Sequence, residues 1–118
     1  MLKNTINVKT DKVLEAGCGY GRWSPLFKKY TGVDISPDFI SLAKENYPLH
    51  KENFFCYDLR KLPFEDNSFD IIYFCESICY NDYEKVLKEV YRILKPNGTL
   101  YIKDLVTKCS KNKLSESE

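Results

Sequence analysis

Residues 13–21 read Val-Leu-Glu-Ala-Gly-Cys-Gly-Tyr-Gly. An apolar run ends at Ala16, and three of the chain's five glycines follow within five residues. Glycine is needed where the backbone adopts a positive φ or lets a ligand approach closely. Because the cluster lies between a strand-like segment and a helix-like one, it indicates a ligand-binding loop. The alternative is a tight turn that binds nothing.

Five short apolar segments recur along the chain and are rich in Val, Ile, Phe and Tyr. Apolar residues follow one another in these segments without strict alternation with polar residues, as they do in strands that are buried on both faces of a parallel sheet. The connections between them are long enough for the crossover helices that parallel strands require. The predicted strands are Val13–Ala16, Thr31–Ile35, Asn53–Tyr57, Asp70–Cys75 and Thr99–Lys103.

Two of the predicted helices lie in the first half of the chain. The segment Arg22–Lys29 follows the glycine loop, and Pro25 is tolerated in its first turn. Ser36 is the predicted N-cap of the second helix, and a proline and an acid follow it in the first turn. The inner face of this helix is expected to carry Ile40, Ala43 and Tyr47.

A third helix is predicted to begin with a capping box, in which Asn81 is the cap and Glu84 follows three residues later. Its apolar positions repeat at helical spacing up to Leu94, and the turn Lys95–Gly98 leads into the last strand. Alternating strands and helices predict an α/β fold, a Rossmann-like open parallel sheet with helices on both faces. Such sheets bind ligands beyond the carboxyl ends of their strands.

The composition limits the functional class. Lysine and arginine number 18 against 17 acidic residues, so binding of nucleic acid through bulk charge is not expected. The longest apolar run, Ile71–Cys75, is far shorter than the ~20 residues of a membrane-spanning helix, and no membrane partner is expected. Five cysteines without paired spacing favour reduced thiols in a cytoplasmic protein over disulfides or a zinc site.

The glycine spacing differs from the dinucleotide fingerprint GxGxxG, because the third glycine comes one position early and Arg22 stands where it is expected. Glu15 lies two residues before the first glycine. A carboxylate there would repel a pyrophosphate and attract a positively charged ligand, such as an amine or a sulfonium. Alternatively, Glu15 is a solvated residue at a strand end.

The segment Val13–Gly21 resembles the first motif of class I S-adenosylmethionine-dependent methyltransferases, of the type 11 kind. In that family the loop wraps around the methionine portion of S-adenosyl-L-methionine. The resemblance therefore implies an enzyme that transfers a methyl group from this cofactor to an acceptor that the sequence does not identify. It assigns cofactor binding in this loop to Glu15, Gly17, Cys18, Gly19 and Gly21.

Acids end the next two predicted strands. The carboxylate of Asp34 can accept hydrogen bonds from both ribose hydroxyls, as in dinucleotide folds, or can cap the following helix. By resemblance, Asp34 binds the ribose and Ile35 lies beside the adenine. The same resemblance places Asp58 against the adenine amino group and the N–H of Leu59 against a ring nitrogen. Asp58 alternatively forms an Asx turn. Cys75, at the end of the fourth strand, is also assigned to the cofactor site.

The resemblance covers about residues 13–104, because Leu62–Asp70 and Arg92–Leu100 also match the family pattern. It implies the strand order 3-2-1-4-5. The domain is expected over residues 1–107, and residues 108–118 are expected to form a flexible tail, because they are polar with almost no apolar side chains. Relative to the family the chain is expected to be shortened at both ends and to lack the C-terminal antiparallel hairpin. The fifth strand would then be an unprotected edge, open to a second copy or another chain.

Transfer of a sulfonium methyl requires neither a metal nor a covalent nucleophile, so a chain with one histidine can be an enzyme. His50 is predicted to be a surface residue without a role, and Trp23 to be core or a wall of the methionine pocket. Tyr80 stands where many family members have a histidine and either lines the acceptor pocket or packs. No catalytic residue is assigned, and the role of Glu76 stays open.

The sequence leaves three functions open. The leading one is methyl transfer from S-adenosylmethionine. The second is a non-catalytic cofactor-binding or assembly subunit related to the methyltransferases. The third is a nicotinamide-dependent oxidoreductase, which the glycine spacing and Glu15 disfavour.

Overall fold

The computed structural model describes residues 6–74, 83–102 and 107–110, which form a six-stranded sheet. The strands are β1 (Lys12–Ala16), β2 (Lys29–Asp34), β3 (Phe54–Cys56), β4 (Phe69–Phe74), β5 (Leu94–Ile102) and β6 (Thr107–Ser110). The sheet order is β3-β2-β1-β4-β5-β6, and the pairings among β1 to β5 are all parallel. The predicted order 3-2-1-4-5 is therefore confirmed.

The sixth strand pairs antiparallel with β5, with Leu100 opposite Cys109. The expectation that β5 is an unprotected edge is therefore wrong, and association through that edge loses its basis. Residues 108–110, which were expected to belong to the flexible tail, form part of this strand. Sequence reasoning missed it because the segment is polar, and an edge strand can be held by backbone hydrogen bonds without an apolar face.

Helix α1 (Pro37–Asn46) begins as predicted. The Oγ of Ser36 accepts a hydrogen bond from the backbone N–H of Phe39 at 3.2 Å, which makes Ser36 the N-cap. The helix buries Ile40 and Ala43, and a short 3-10 helix, Pro48–Asn53, follows it.

Helix α2 (Tyr83–Ile93) packs on the opposite face of the sheet and buries Val86, Val90 and Ile93. The predicted arrangement of helices on both faces is confirmed. Its predicted cap, Asn81, lies outside the described residues, and Leu94 already belongs to β5. Over the described ranges, no helix has the length and apolar character needed to cross a lipid bilayer.

Two apolar layers sandwich the sheet. Leu14 and Ile72 face α2, whereas Val13 and Ile71 face α1, because successive strand residues point to opposite faces. The layer under α1 is rich in aromatic side chains, namely Phe27, Tyr30, Phe54, Tyr73 and Tyr101.

The predicted helix Arg22–Lys29 does not form. The chain makes a single 3-10 turn, Ser24–Leu26, and Phe27 is already extended at φ −122°. Lys29 pairs with Lys12, so the connection must run back along the whole of β1. A five-residue strand is about 16 Å long, whereas eight helical residues cover only about 12 Å. An extended path spans that distance, and a helix of the predicted length does not.

The predicted turn Lys95–Gly98 lies inside β5 as a bulge. Leu94 pairs with Phe69 and Thr99 pairs with Ile71, so four residues stand opposite Asp70 alone. The Nζ of Lys95 lies 3.2 Å from Oδ1 of Asp70 and closes the bulge. The strand therefore begins earlier than predicted, although the residues predicted to turn are the ones that leave the regular pairing.

Candidate functional site

The carboxyl ends of β1, β2 and β3 meet at one edge of the sheet, because Ala16 pairs with Val33 and Asp34 pairs with Cys56. The glycine loop leaves β1 at this edge. The backbone N–H groups of Gly17 and Cys18 both donate to the carbonyl of Val33, at 2.8 and 2.9 Å. The start of the loop is thereby fixed to the neighbouring strand.

The three glycines of the loop all have positive φ: +73° at Gly17, +57° at Gly19 and +81° at Gly21. A Cβ at Gly17 or Gly19 would meet nothing within 4 Å, whereas a Cβ at Gly21 would lie 2.6 Å from the ring of Phe54. The first two glycines therefore leave open space for a ligand, and the third allows the loop to pack on the core.

The carboxylate of Asp34 joins the loop to the start of α1. Its Oδ2 accepts from the backbone N–H of Gly19 at 2.8 Å, and its Oδ1 accepts from the N–H of Ser36 at 3.0 Å. Each carboxylate oxygen can accept a second hydrogen bond, so the partly exposed side chain retains acceptor capacity for a ligand. Ile35 beside it is 52% exposed and offers an apolar surface at the same place.

Glu15 lies beneath the loop and not on its surface. Its side chain is 0% exposed, and its Oε1 accepts a hydrogen bond from the hydroxyl of Tyr30 at 2.5 Å. The alternative of a solvated residue at a strand end is therefore wrong. Burial and the carboxylate of Glu15 raise the pKa of Tyr30 well above its usual value, so the tyrosine remains a donor.

The thiol of Cys18 is affected by two nearby acids. It is buried, and burial, followed by the charges of Glu15 and Asp34, raises its pKa far above the usual range. The thiol therefore stays neutral and is not a nucleophile. Both carboxylates therefore lie close enough to the thiol to act on it.

Asp58 is engaged by a neighbour that sequence reasoning did not single out. Its Oδ1 accepts from the backbone N–H of Arg60 at 2.9 Å, which is the Asx turn left open as an alternative. The guanidinium adds bonds from Nε to Oδ1 at 3.0 Å and from Nη2 to Oδ2 at 2.6 Å. These bonds lower the pKa of Asp58 to about 2. The adjacent Leu59 is buried.

The loop after β3 is fastened to α2 by a second pair that sequence reasoning missed. Arg92 donates to Glu89 through Nε and Nη2, both at 3.0 Å, and to the carbonyls of Leu62 and Phe64. Asp66 accepts from its Nη1 at 2.8 Å. Glu89 and Arg92 are spaced i, i+3 on one helix face, but their loop partners lie too far along the chain for a sequence signal.

The remaining predicted residues have varied placements. Cys75, Glu76 and Tyr80 lie outside the described residues. His50 is half-buried, and its ring lies 5.3 Å from that of Tyr30, so it packs on the core. Trp23 packs against the layer under α1 and lies beneath the guanidinium of Arg22 at 4.7 Å. Among the side chains that are described, none group into a set of His, Cys, Asp or Glu that could hold a metal ion.

Residues 14–102 match the family profile described as a methyltransferase domain. The chain is 34% identical over 107 residues to the phthiotriol/phenolphthiotriol dimycocerosates methyltransferase of Mycobacterium leprae (strain TN), an alignment that covers 85% of this chain. It covers 40% of that relative, so the chain spans less than half of the relative's length.

Two solved structures have the same fold with appreciable sequence identity. The PH0226 protein of Pyrococcus horikoshii OT3 gives a TM-score of 0.73 at 39% identity, over 86% of this chain and 48% of that one. A SAM-dependent methyltransferase of Methanosarcina mazei gives a TM-score of 0.72 at 31% identity, over 86% and 55%.

Proposed function

We propose that this chain, which belongs to the methyltransferase domain family, binds S-adenosyl-L-methionine at the carboxyl ends of β1–β3 and acts in transfer of its methyl group to an acceptor. One observation carries the proposal: the open, positive-φ glycine loop is tied through Gly19 to the carboxylate of Asp34. This arrangement supports the proposal, because it sets a carboxylate that can accept from ribose hydroxyls beside a backbone loop that a ligand can approach.

The charge at the loop favours a cationic ligand over a pyrophosphate. After burial, the charges of Glu15 and Asp34 are the next causes that raise the pKa of the Cys18 thiol, which supports a site that attracts a positively charged group. A pyrophosphate is normally held at the start of a helix after such a loop. Here a single 3-10 turn, Ser24–Leu26, follows the loop, and this disfavours the nicotinamide alternative.

The roles proposed for individual residues follow their places at this edge. Gly17 and Gly19 hold the methionine portion in the open space above them, and Asp34 accepts from the ribose hydroxyls. Ile35 packs on the adenine with its exposed side chain. Asp58 and the N–H of Leu59 are the proposed contacts of the adenine edge. Glu15, Cys18 and Gly21 are buried or pack on the core, so their proposed part is to support the loop from below. Cys75, outside the described residues, completes the proposed set on the strength of the resemblance.

The proposed reaction requires the chain mainly to bind the methyl donor and the acceptor and to orient them. When bound, S-adenosyl-L-methionine supplies a methyl carbon on a positively charged sulfur, already activated for a one-step in-line displacement. The glycine loop and Asp34 would hold the donor in one orientation so that the acceptor can align with it. A general base is required only if the acceptor must lose a proton first.

The test is ligand binding followed by turnover. S-adenosylmethionine, S-adenosylhomocysteine and NAD are compared by thermal shift and calorimetry with the full chain. A ligand at about 100 times its dissociation constant stabilises the fold by ~2.7 kcal/mol. The proposal expects the first two ligands to stabilise it and NAD not to; stabilisation by NAD alone would reverse the assignment.

Turnover then separates the remaining alternatives. Radiolabelled methyl transfer is measured against an acceptor panel that begins with the substrate for which the Mycobacterium leprae relative is named. Transfer supports the enzyme. Binding without transfer to any acceptor supports the second candidate, a non-catalytic cofactor-binding subunit.

A further inference from the structure

Tyr30 reaches Glu15 across a glycine. In the sheet Tyr30 pairs with Val13, whereas Glu15 pairs with Gly32, two residues farther along β2. A Cβ at Gly32 would lie 2.6 Å from the hydroxyl of Tyr30 and 3.0 Å from its ring. The missing side chain of Gly32 therefore provides the channel through which the phenol extends to the carboxylate.

Other aromatic rings fix the position of the phenol. The ring of Tyr30 is stacked at 6.4 Å with Phe27 and meets Phe54 edge-on at 5.6 Å. His50 closes a third side at 5.3 Å, and Tyr30 is only 2% exposed. Rings held in this way leave the hydroxyl few orientations, so the hydrogen bond to Glu15 is preorganised.

A buried carboxylate keeps its charge only with a good donor beside it. The hydroxyl of Tyr30, at 2.5 Å from Oε1, is such a donor, and its raised pKa keeps the proton on the phenol. The carboxylate lies beneath the loop and close enough to Cys18 to act on its thiol. The carboxyl group of Glu15 is therefore buried under the loop with a preorganised donor beside it.

We propose that Tyr30 is a positioning residue: through its hydrogen bond it holds Glu15 as an anion beneath the glycine loop, and this charge raises the affinity of the site for the cationic part of its nucleoside ligand. Glu15 acts across the loop by its field, because its side chain has no exposed surface to offer a ligand. The inference rests on the proposed function.

The experiment compares two ligands that share the nucleoside and differ in charge. S-adenosylmethionine carries a sulfonium and an amino-acid group, and 5′-methylthioadenosine carries neither. Calorimetry of Tyr30→Phe is expected to show affinity for S-adenosylmethionine reduced on the order of tenfold, a change of roughly 1.4 kcal/mol. Affinity for 5′-methylthioadenosine should change by less than about twofold. Tyr47→Phe is the matched control, since Tyr47 packs against the same layer.

A second variant reports on the charge itself. Glu15→Gln keeps the size of the side chain and removes its charge, so it should reproduce the selective loss. The double variant Tyr30→Phe, Glu15→Gln should bind S-adenosylmethionine no more weakly than Glu15→Gln alone, because both changes remove one effect.

Two results would overturn the inference. Equal weakening of both ligands in Tyr30→Phe and Glu15→Gln would mean that the pair only shapes the loop. Unchanged affinity for S-adenosylmethionine in either variant would mean that the charge does not reach the ligand. If the unaltered chain binds neither ligand at millimolar concentration, it is the proposed function that fails, and this outcome is recognisable without any variant.

Discussion

The carboxylate of Asp34 accepts a hydrogen bond from the backbone N–H of Gly19 at 2.8 Å. The side chain that is proposed to bind the ribose is therefore joined directly to the glycine loop. The same carboxylate accepts from Ser36 at the start of α1. A change at Asp34 therefore acts on the ligand contact, on the loop and on the helix start together. Removing all of this carboxylate is therefore expected to weaken binding more than removing its charge alone.

Asp34→Ala should weaken binding of S-adenosylmethionine by about 100-fold or more, because it removes a charged acceptor from the ligand and from the loop. Asp34→Asn should cost on the order of tenfold, since one amide oxygen remains to accept. Asp38→Ala, an exposed acid in the first turn of α1, is the control. Calorimetry measures affinity and circular dichroism the fold. Equal affinity in Asp34→Ala and the control would remove Asp34 from the site.

Gly19→Ala and Gly21→Ala should separate ligand access from packing. Gly19 has open space at its Cβ position, so alanine there costs about 1–2 kcal/mol of left-handed backbone strain. Alanine at Gly21 adds a collision with Phe54 and should cost more in urea unfolding. Relative to the stability that each variant loses, Gly19→Ala should nevertheless lose more ligand affinity than Gly21→Ala. The reverse ranking would place the ligand elsewhere.

The ion pair of Asp58 and Arg60 predicts a pH dependence of stability. The folded pKa of Asp58 is about 2, below its usual 3.8, so its contribution is present above the usual pKa and is lost as pH falls through about 2. The free energy of unfolding should therefore fall between about pH 4 and about pH 2. In Asp58→Asn that fall should be shallower in the same urea titrations. An identical slope would show that the pair contributes nothing.

Arg60 should compete with an adenine amino group for Asp58. Its backbone N–H and guanidinium already occupy both carboxylate oxygens, and the pair is partly exposed, so it is worth about 1 kcal/mol or less. Arg60→Ala should therefore tighten adenosine binding a few-fold, by about 0.5–1 kcal/mol. Lys61→Ala, the neighbouring exposed cation, is the control. Weaker binding in Arg60→Ala would instead make Arg60 a ligand contact.

The clamp, which is the set of hydrogen bonds from Arg92 to Glu89, Asp66 and the loop after β3, should contribute more to the free energy of unfolding than the partial exposure of Arg92 suggests. Arg92→Met removes bonds to Glu89, Asp66 and two loop carbonyls and should destabilise the chain by about 2 kcal/mol. Lys88→Met, exposed on the same helix, should stay within about 0.5 kcal/mol of the unaltered chain. Urea unfolding decides between them, and equal midpoints would contradict the clamp.

Local sequence signals were sufficient where neighbours in the chain determine the structure. The N-cap at Ser36, the burial of Ile40 and Ala43 and the parallel pairing of the strands were predicted, because caps and buried runs are read from adjacent residues. The order of the strands was expected from the resemblance to the methyltransferases, and Tyr47, expected on the inner face, follows the end of α1. The glycine loop was predicted for the same reason, since its positive φ angles leave glycine as the residue without strain.

The errors lie where distant pairing determines the structure. The helix Arg22–Lys29 gave way to an extended path because the register of Lys12 with Lys29 fixes how far the chain must travel. The polar strand β6 depends on backbone pairing with β5. The burial of Glu15 depends on Tyr30 and on the absence of a side chain at Gly32, which only the register of β1 and β2 brings together.

The brief connection between β1 and β2 also bears on how the chain folds. Lys29 meets Lys12 across a short loop, whereas Ile71 must come from the far half of the chain to meet Val13. Closing a short loop costs less entropy and happens sooner. We expect β1 and β2 to form the early nucleus of the sheet. The glycine loop and Asp34 would then be brought together before β4 and β5 pair with β1.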